Sequence, residues 1–371
     1  MAESETKPAY FGLGNIREYF FEVIQRERNF ILLIAAGFLL VGGTYENAGL
    51  ARWVGFLFAG YAAVANDSIQ TIGTFIASNR KQKWWALWLF IGGLFLLTVT
   101  YSFIVNNGDV SYGRLQSKGF SSTPMEFSFL QVAAPLYLLI LTRLRMPVST
   151  TFLLLTSFST SPKGVENVLA KSLGGYVIAF GVAMLVWMSL SHLFQRWFQG
   201  EADPKWRVAQ WLTSGSLWCV WIMQDAANIA VYLPRQMNVM QFMAFAAVIF
   251  FGLGLLFRSG GERIQEIVDE KSQVVDVRMA TIIDLVYALI LLYHLYDSKT
   301  PMSTTWVFLG LLGGRELAMA LRRTSGQSIG SAVGMMLRDA ISAGIGLLIS
   351  LLVAYFVNPS FRAQINAAFG G

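Results

Sequence analysis

Residues 145–152 read Arg145-Met146-Pro147-Val148-Ser149-Thr150-Thr151-Phe152, and residues 299–306 read Lys299-Thr300-Pro301-Met302-Ser303-Thr304-Thr305-Trp306. The offset between the two prolines is 154 residues. Upstream of each lies a second recurring pattern: Asn66-Asp67-Ser68-Ile69-Gln70 aligns with Gln224-Asp225-Ala226-Ala227-Asn228 at an offset of 158 residues between the two acids. Two different motifs that recur in the same order at nearly one spacing point to a duplicated unit. The chain therefore divides into an N-terminal addition (1–49), a first repeat (50–205) and a second repeat (206–371).

Composition sets the environment of those repeats. Of 371 residues, 55% are hydrophobic and only 13% charged, and the mean hydropathy is +0.52. A soluble domain carries about 25% charged residues. Segments 30–43, 84–105, 165–190, 239–257 and 332–356 are long apolar runs, and 53–78 and 208–232 are equally long with polar residues midway. At 1.5 Å per residue such runs suit a hydrocarbon layer about 30 Å thick. The expectation is an all-α integral membrane protein of about ten to twelve membrane segments. Residues 1–29 place Ile16, Tyr19, Phe20, Val23 and Ile24 at helical spacing among Arg17, Glu22, Arg26 and Arg28, which fits an interfacial helix or an ordinary extension leading into the first span. The first apolar run lies too far in, without a small-residue cleavage site, for a signal peptide. Cys219 is the single cysteine, so there is no disulfide framework and no thiolate metal cluster. The net charge of +6 reads as basic cytoplasmic loops, not as a nucleic-acid surface.

Loop charge suggests how the repeats are oriented. Arg80-Lys81-Gln82-Lys83 follows the first acidic segment, whereas the equivalent loop of the second half holds only Arg235. The next pair reverses: 106–125 has few basic groups (Arg114, Lys118), while 258–278 holds Arg258, Arg263, Lys271 and Arg278 among acids. Equivalent loops on opposite sides imply inverted-topology repeats. Trp84, Trp85 and Trp88 beside the basic loop read as an aromatic belt. The glycines of 326–346 fit helix packing better than phosphate cradling, and His192 and His294 read as interfacial residues.

Asp67 and Asp225 fall near the middle of apolar segments. A mid-membrane carboxylate costs about 2.5–3.5 kcal/mol on insertion scales, so it needs a cation, a proton or hydrogen-bond donors. Each has an amide before it (Asn66, Gln224) and another three residues later (Gln70, Asn228), on one helical face. Hard oxygens grouped in this way suit an alkali cation; the bland counterpart is a polar clamp between helices. The Pro-x-Ser-Thr-Thr triplets follow the short runs 127–142 and 279–296, the pattern of re-entrant or broken helices. A half-helix beginning at Pro147 or Pro301 would aim backbone N–H groups and the hydroxyls of Ser149, Thr150, Thr151, Ser303, Thr304 and Thr305 at one anion; the bland counterpart here is simple helix capping. Glu166 and Glu316 follow the triplets at similar distances and are placed to neutralise Lys163 or Arg315. No phosphate-binding loop, zinc-protease motif or nucleophile elbow is present, which speaks against an enzyme.

At these residues the chain resembles the inorganic phosphate transporter (PiT) family of ion-coupled symporters, which carries Gly-Ala-Asn-Asp-Val-Ala-Asn and Pro-Ile/Val-Ser-Thr-Thr in each half. The resemblance runs through most of the chain beyond residue 50. It implies that Asn66, Asp67, Asp225 and Asn228 serve the coupling sodium ions, with proton coupling as the alternative. It implies that the six triplet residues, with Gln70 and Gln224, bind inorganic phosphate. It also implies a multi-pass inner-membrane location among lipid, no nucleic-acid partner, and a homodimer as one assembly state. Departures are visible: Val64 and Ile222 stand where the signature has Gly, Gln70 and Gln224 replace Asn, and Phe152 and Trp306 replace the His that often follows the triplet. Gln extends the amide by one methylene, so the ion geometry differs, and sulfate stays an alternative to phosphate. A membrane receptor that binds an oxyanion without moving it is the reading from a different class.

Overall fold

The computed structural model describes residues 13–369 except 80, 118, 145, 147, 259–275 and 325; within that range the side chains of 13–24, 26, 66–69, 368 and 369 are outside the description. The described chain is helical, with no strand among the described residues. Helix α1 (Leu13–Thr44) leads into α2 (Ala48–Ala62), a π-helical turn (Ala63–Asp67) and α3 (Ser68–Ser78). Helices α4 (Trp84–Val105) and α5 (Phe129–Arg143) flank a long connection that contains a 3₁₀ turn at Arg114–Gln116. The first triplet enters a π turn (Thr151–Leu155) and one further helical turn (Thr156–Phe158), followed by α6 (Pro162–Trp197). The second half runs α7 (Lys205–Ala230), α8 (Val239–Arg258), α9 (Val277–Asp297), α10 (Thr304–Leu321) and α11 (Ile329–Val357), and α12 (Pro359–Phe369) ends the described chain.

Local chemistry fixes many of these starts. Asn47, Ser128, Ser161, Ser303 and Ser328 each accept a backbone N–H from the first turn of the helix they precede, which satisfies one of its orphan donors. Ser128 and Gln131 complete a capping box. Pro162 opens α6 where its missing N–H is harmless.

Among the described residues, seven helices are long and apolar enough to cross a membrane, and α5 is a shorter apolar helix. Apolar side chains face outward on them: Leu337, Ile341, Ile345, Leu348, Leu352 and Phe356 form an exposed stripe along α11. Outward apolar stripes beside buried hydroxyls and amides are the arrangement lipid requires, so this is a multi-pass α-helical membrane protein.

Two sequence expectations change. The run 279–296 is not too short to span: it lies in α9, which has 21 residues and thus a length of about 30 Å. The helix of the second triplet does not begin at Pro301; Pro301–Ser303 are irregular, Ser303 is the N-cap and α10 starts at Thr304. Pro147 and residues 259–275 of the acidic–basic loop 258–278 lie outside the described residues.

Helix α10 packs along α6, α9 along α7, α4 against α8 and α3 against α7, while α11 packs on the 151–158 segment. Close approach of α10 to α6 depends on glycines four residues apart. A Cβ on Gly310 would stand 2.3 Å from the Tyr176 carbonyl oxygen, and one on Gly314 2.4 Å from that of Phe180. Small residues at this spacing let two backbones touch.

A candidate site where the two triplets meet

Helix α7 carries Gln224, Asp225 and Asn228 into the interior, each 1–2% exposed. Asp225 accepts the Thr304 hydroxyl at 2.5 Å through Oδ2 and the Asn228 side-chain amide at 3.2 Å through Oδ1. The same Asn228 Nδ2 donates to Thr151 Oγ1 at 3.1 Å, and the Thr151 hydroxyl donates to the Met302 carbonyl at 3.2 Å. Gln70 on α3 donates through Nε2 to Thr305 Oγ1 at 3.3 Å. Trp221 Nε1 donates to Thr304 Oγ1 at 3.3 Å, and the Tyr287 hydroxyl donates to the Thr304 carbonyl at 3.0 Å. Residues of both triplets, Asp225 and Asn228 of α7 and Gln70 thus meet in one cluster, although more than 150 residues separate Thr151 from Thr305; Gln224 donates to the Leu291 carbonyl on α9 at 3.0 Å.

Within each triplet the residues divide their work. Ser149 Oγ accepts the Phe152 N–H at 3.2 Å and Ser303 Oγ accepts the Trp306 N–H at 3.3 Å, so both serines cap the turn that follows. Thr151, Thr304 and Thr305 face the acid and the amides, and Thr150 is buried beside them in the chain. Phe152 and Trp306 pack edge to face with ring centroids 6.0 Å apart. Asn66 and Asp67, the first-half acidic pair, have side chains outside the description; their backbone belongs to the π turn, a feature frequent at functional sites.

The side-chain oxygens Gln70 Oε1, Gln224 Oε1 and Asn228 Oδ1 are buried without a hydrogen-bond partner. A buried acceptor left unsatisfied costs about 1–3 kcal/mol, and several in one site call for an explanation. Amide oxygens and a carboxylate are hard donors, the type a small cation takes in place of water. Among the described residues no group of three or more His, Cys, Asp or Glu gathers to hold a metal ion.

Two residues of this region escaped sequence reasoning. Arg114, in the connection after α4, is fully buried. Its Nε donates to the Met223 carbonyl at 3.0 Å and its Nη1 to the Thr300 carbonyl at 3.1 Å. Those carbonyls immediately precede Gln224 and Pro301, so one guanidinium ties the starts of the two second-half motifs. Burial lowers its pKa to about 10, opposed by the Asp225 carboxylate, and it stays charged at neutral pH. No local pattern marked this arginine. Asp284 was legible by the signal that singled out Asp67 and Asp225, a lone acid in an apolar run. It is 1% exposed on α9 and accepts hydroxyls from Thr74 at 2.7 Å and Ser214 at 2.5 Å.

Asp284 belongs to a polar track. Gln70, Thr74 and Ser78 are four residues apart on α3, hence on one face. Gln210 on α7 donates to Ser78 Oγ at 3.4 Å and accepts from Asn79 Nδ2 at 2.8 Å. The track ends at an open cavity of about 440 Å³ lined by Ser78, Asn79, Lys81, Arg207, Asp276 and Arg278, among others. A series of buried and part-buried hydroxyls, amides and one carboxylate therefore runs from the central cluster to the membrane face that carries Lys81.

No family model matches the chain, and no curated protein matches it. A solved structure described as "The sodium-dependent phosphate transporter" aligns with 85% of this chain and 98% of its own, at 17% identity and a TM-score of 0.46.

Proposed function

We propose that this protein is an ion-coupled permease for a tetrahedral oxyanion, inorganic phosphate by preference, and a divergent member of the PiT family. The observation that carries the proposal is the pair of reciprocal contacts Gln70–Thr305 and Asn228–Thr151. They join equivalent motif positions across the two halves, as two inverted repeats (50–205 and 206–371) sharing one central site require. Asn66, Asp67, Asp225 and Asn228 hold the sodium ions, with amide and carboxylate oxygens replacing water. Ser149, Thr150, Thr151, Ser303, Thr304 and Thr305, with the amide N–H groups of Gln70 and Gln224, take the anion, and the two glutamine oxygens turn to the cation. A cation at the acids lowers the cost of desolvating the anion beside them, so each ion's binding favours the other's. Relative motion of the halves then opens the site towards the polar track of Thr74, Asp284 and Ser214.

A second reading has its own support. Asp284, a buried carboxyl within hydroxyl reach, is suited to carry a proton, and Gln70 and Gln224 depart from the family's amides. Proton-coupled sulfate uptake uses the same site with a different ion pair. The experiment is uptake of phosphate and of sulfate by reconstituted protein under separate sodium and proton gradients. Sodium-driven phosphate uptake lost in both Asp67→Asn and Asp225→Asn is the expected result. Full activity in both variants rejects the cation assignment, and saturable binding without flux would make the protein a receptor.

A further inference from the structure

Between α6 and α9 lies a second cavity of about 430 Å³, lined by Asn167, Lys171, Gly174, His294, Asp297 and Thr300, among others. It sits at the C-terminal end of α9. The N-terminal end of that helix borders the cavity containing Lys81, and α9 is 21 residues long, so the two cavities open about 30 Å apart on opposite membrane faces.

His294 is the unexpected part of this cavity. Sequence reasoning placed it at the membrane boundary as an ordinary interfacial residue, yet it is 3% exposed and neither ring nitrogen has a hydrogen-bond partner. Burying an imidazole with both polar atoms unsatisfied is costly. Gly175 lies beside the ring: a Cβ there would be in ordinary contact with His294 Nε2 and with Met302 Sδ, each at 3.6 Å, and would press on Val307 Cγ2 at 2.9 Å. A second buried donor without a partner is Arg114 Nη2, on the guanidinium that holds the Thr300 carbonyl. The charged groups acting on His294 are Lys171 from α6, Asp297 from its own helix and Arg114 from the 3₁₀ turn. Lys171 is paired with Asp297, whose side chain is half exposed. Lys171 on the cavity wall and Arg114 behind Thr300 bring two cations to this side of the cavity, the first facing Asp297 and the second Asp225.

We infer that this cavity is an outer oxyanion-binding site, in which Lys171 and His294, with Arg114 behind Thr300, receive a phosphate- or sulfate-type anion before it reaches the triplets. Its role as an entry station rests on the proposed permease function; its capacity to bind the anion does not. Cationic, partly desolvated clefts concentrate anions and speed their capture. The cavity and the central site share the Thr300–Thr304 backbone, so an anion leaving the first has a short way to the second.

The test reads binding without flux. In the full-length protein with Cys219→Ser, Asn167→Cys places a thiol on the cavity wall, and Ala170→Cys is a second version at another exposed lining position. The rate of modification by a neutral thiol reagent is measured in detergent with inorganic phosphate, sulfate or chloride. Phosphate or sulfate at twice its dissociation constant should slow labelling about threefold. Lys171→Gln should remove the protection and Lys171→Arg should keep it. Thr304→Val, a change in the central site, should lose uptake while retaining protection, which separates failure of the permease reading from failure of this one. In proteoliposomes Lys171→Gln and His294→Leu should raise the KM for the anion with little change in kcat. Equal labelling rates in all three salts for both thiol positions overturn the site. Protection only by vesicles containing phosphatidylglycerol, and not by phosphatidylcholine or free anions, overturns the entry role and assigns the cavity to a lipid headgroup.

Discussion

The side-chain amide of Gln70 donates to the hydroxyl of Thr305 at 3.3 Å. Position 70 plus the acidic-motif offset of 158 is position 228, and Asn228 donates to Thr151, the equivalent of Thr305, at 3.1 Å. Each amide therefore reaches the triplet of the other half. If the halves move against each other during a transport cycle, these two hydrogen bonds span the moving boundary.

Shortening one arm tests that boundary. Gln70→Asn withdraws the amide by one methylene, which removes a 3.3 Å contact and leaves the Thr305 hydroxyl without this donor. Loss of one such bond, about 1 kcal/mol, should raise the KM for anion uptake about fivefold. In the double variant Gln70→Asn/Thr305→Val the effect should be less than the product of the singles, because both remove the same bond. Independent, multiplicative effects in a flux assay would show that the contact carries no energy.

Thr304→Val should lower the thermal stability of the purified protein. The hydroxyl donates to the Asp225 carboxylate and accepts from Trp221, and a hydrogen bond to a charged group contributes about 1.5–3 kcal/mol. Thr304→Ser keeps the hydroxyl and should recover most of the loss. The check is a pair of melting curves in detergent; equal midpoints for wild type and Thr304→Val contradict the assignment.

Gly310→Ala should be more disruptive than a change of one methyl suggests. The added Cβ meets a backbone carbonyl oxygen at 2.3 Å, which cannot rotate away as a side chain could. Overpacking of this kind costs about 1–3 kcal/mol, and it moves α10, whose first turn holds Thr304 and Thr305. Reduced stability together with reduced uptake is expected. By contrast Gly313→Ala, whose nearest neighbour is a flexible Met336 side-chain carbon at 3.4 Å, should be tolerated.

Sodium binding should be visible as ligand-dependent stability. A cation that binds only the folded state stabilises it by RT ln(1 + [L]/Kd), about 2.7 kcal/mol at a hundredfold excess over Kd. Replacing choline chloride by sodium chloride at equal ionic strength should raise the melting temperature of the wild type, and Asp225→Asn should lose most of that rise. An undiminished shift in the variant would remove Asp225 from the ion site.

Asp284→Leu probes the inner track. It leaves the Thr74 and Ser214 hydroxyls without their shared acceptor and replaces the carboxylate with an apolar plug. Uptake should fall about tenfold or more, equivalent to 1.4 kcal/mol or more in barrier height. Asp284→Asn, which keeps one acceptor oxygen, should retain sodium-driven uptake better than proton-driven uptake. If proton-driven uptake survives unchanged, Asp284 is not the proton carrier.

By itself the sequence determined the membrane class, the positions of most spans and several residues that the fold brings together, among them Gln70, Thr151, Asp225, Asn228, Thr304 and Thr305. Apolar run length, a lone acid at mid-span and a proline before hydroxyl residues are local signals, and each reflects the cost of burying charge or unpaired backbone in hydrocarbon. The same local logic pointed at Asp284 and went unused there, because the run 279–296 read as a broken segment and not as a full helix. Tertiary structure alone decided the pairing of Gln70 with Thr305 and of Asn228 with Thr151, since hydrogen-bond partners so distant along the chain leave no trace in either local pattern. It alone brought Arg114 from an unremarkable polar connection to the carbonyls of Met223 and Thr300, and buried His294 against Gly175. A buried polar group declares its role only when the fold shows which partners surround it and which of its atoms are left over.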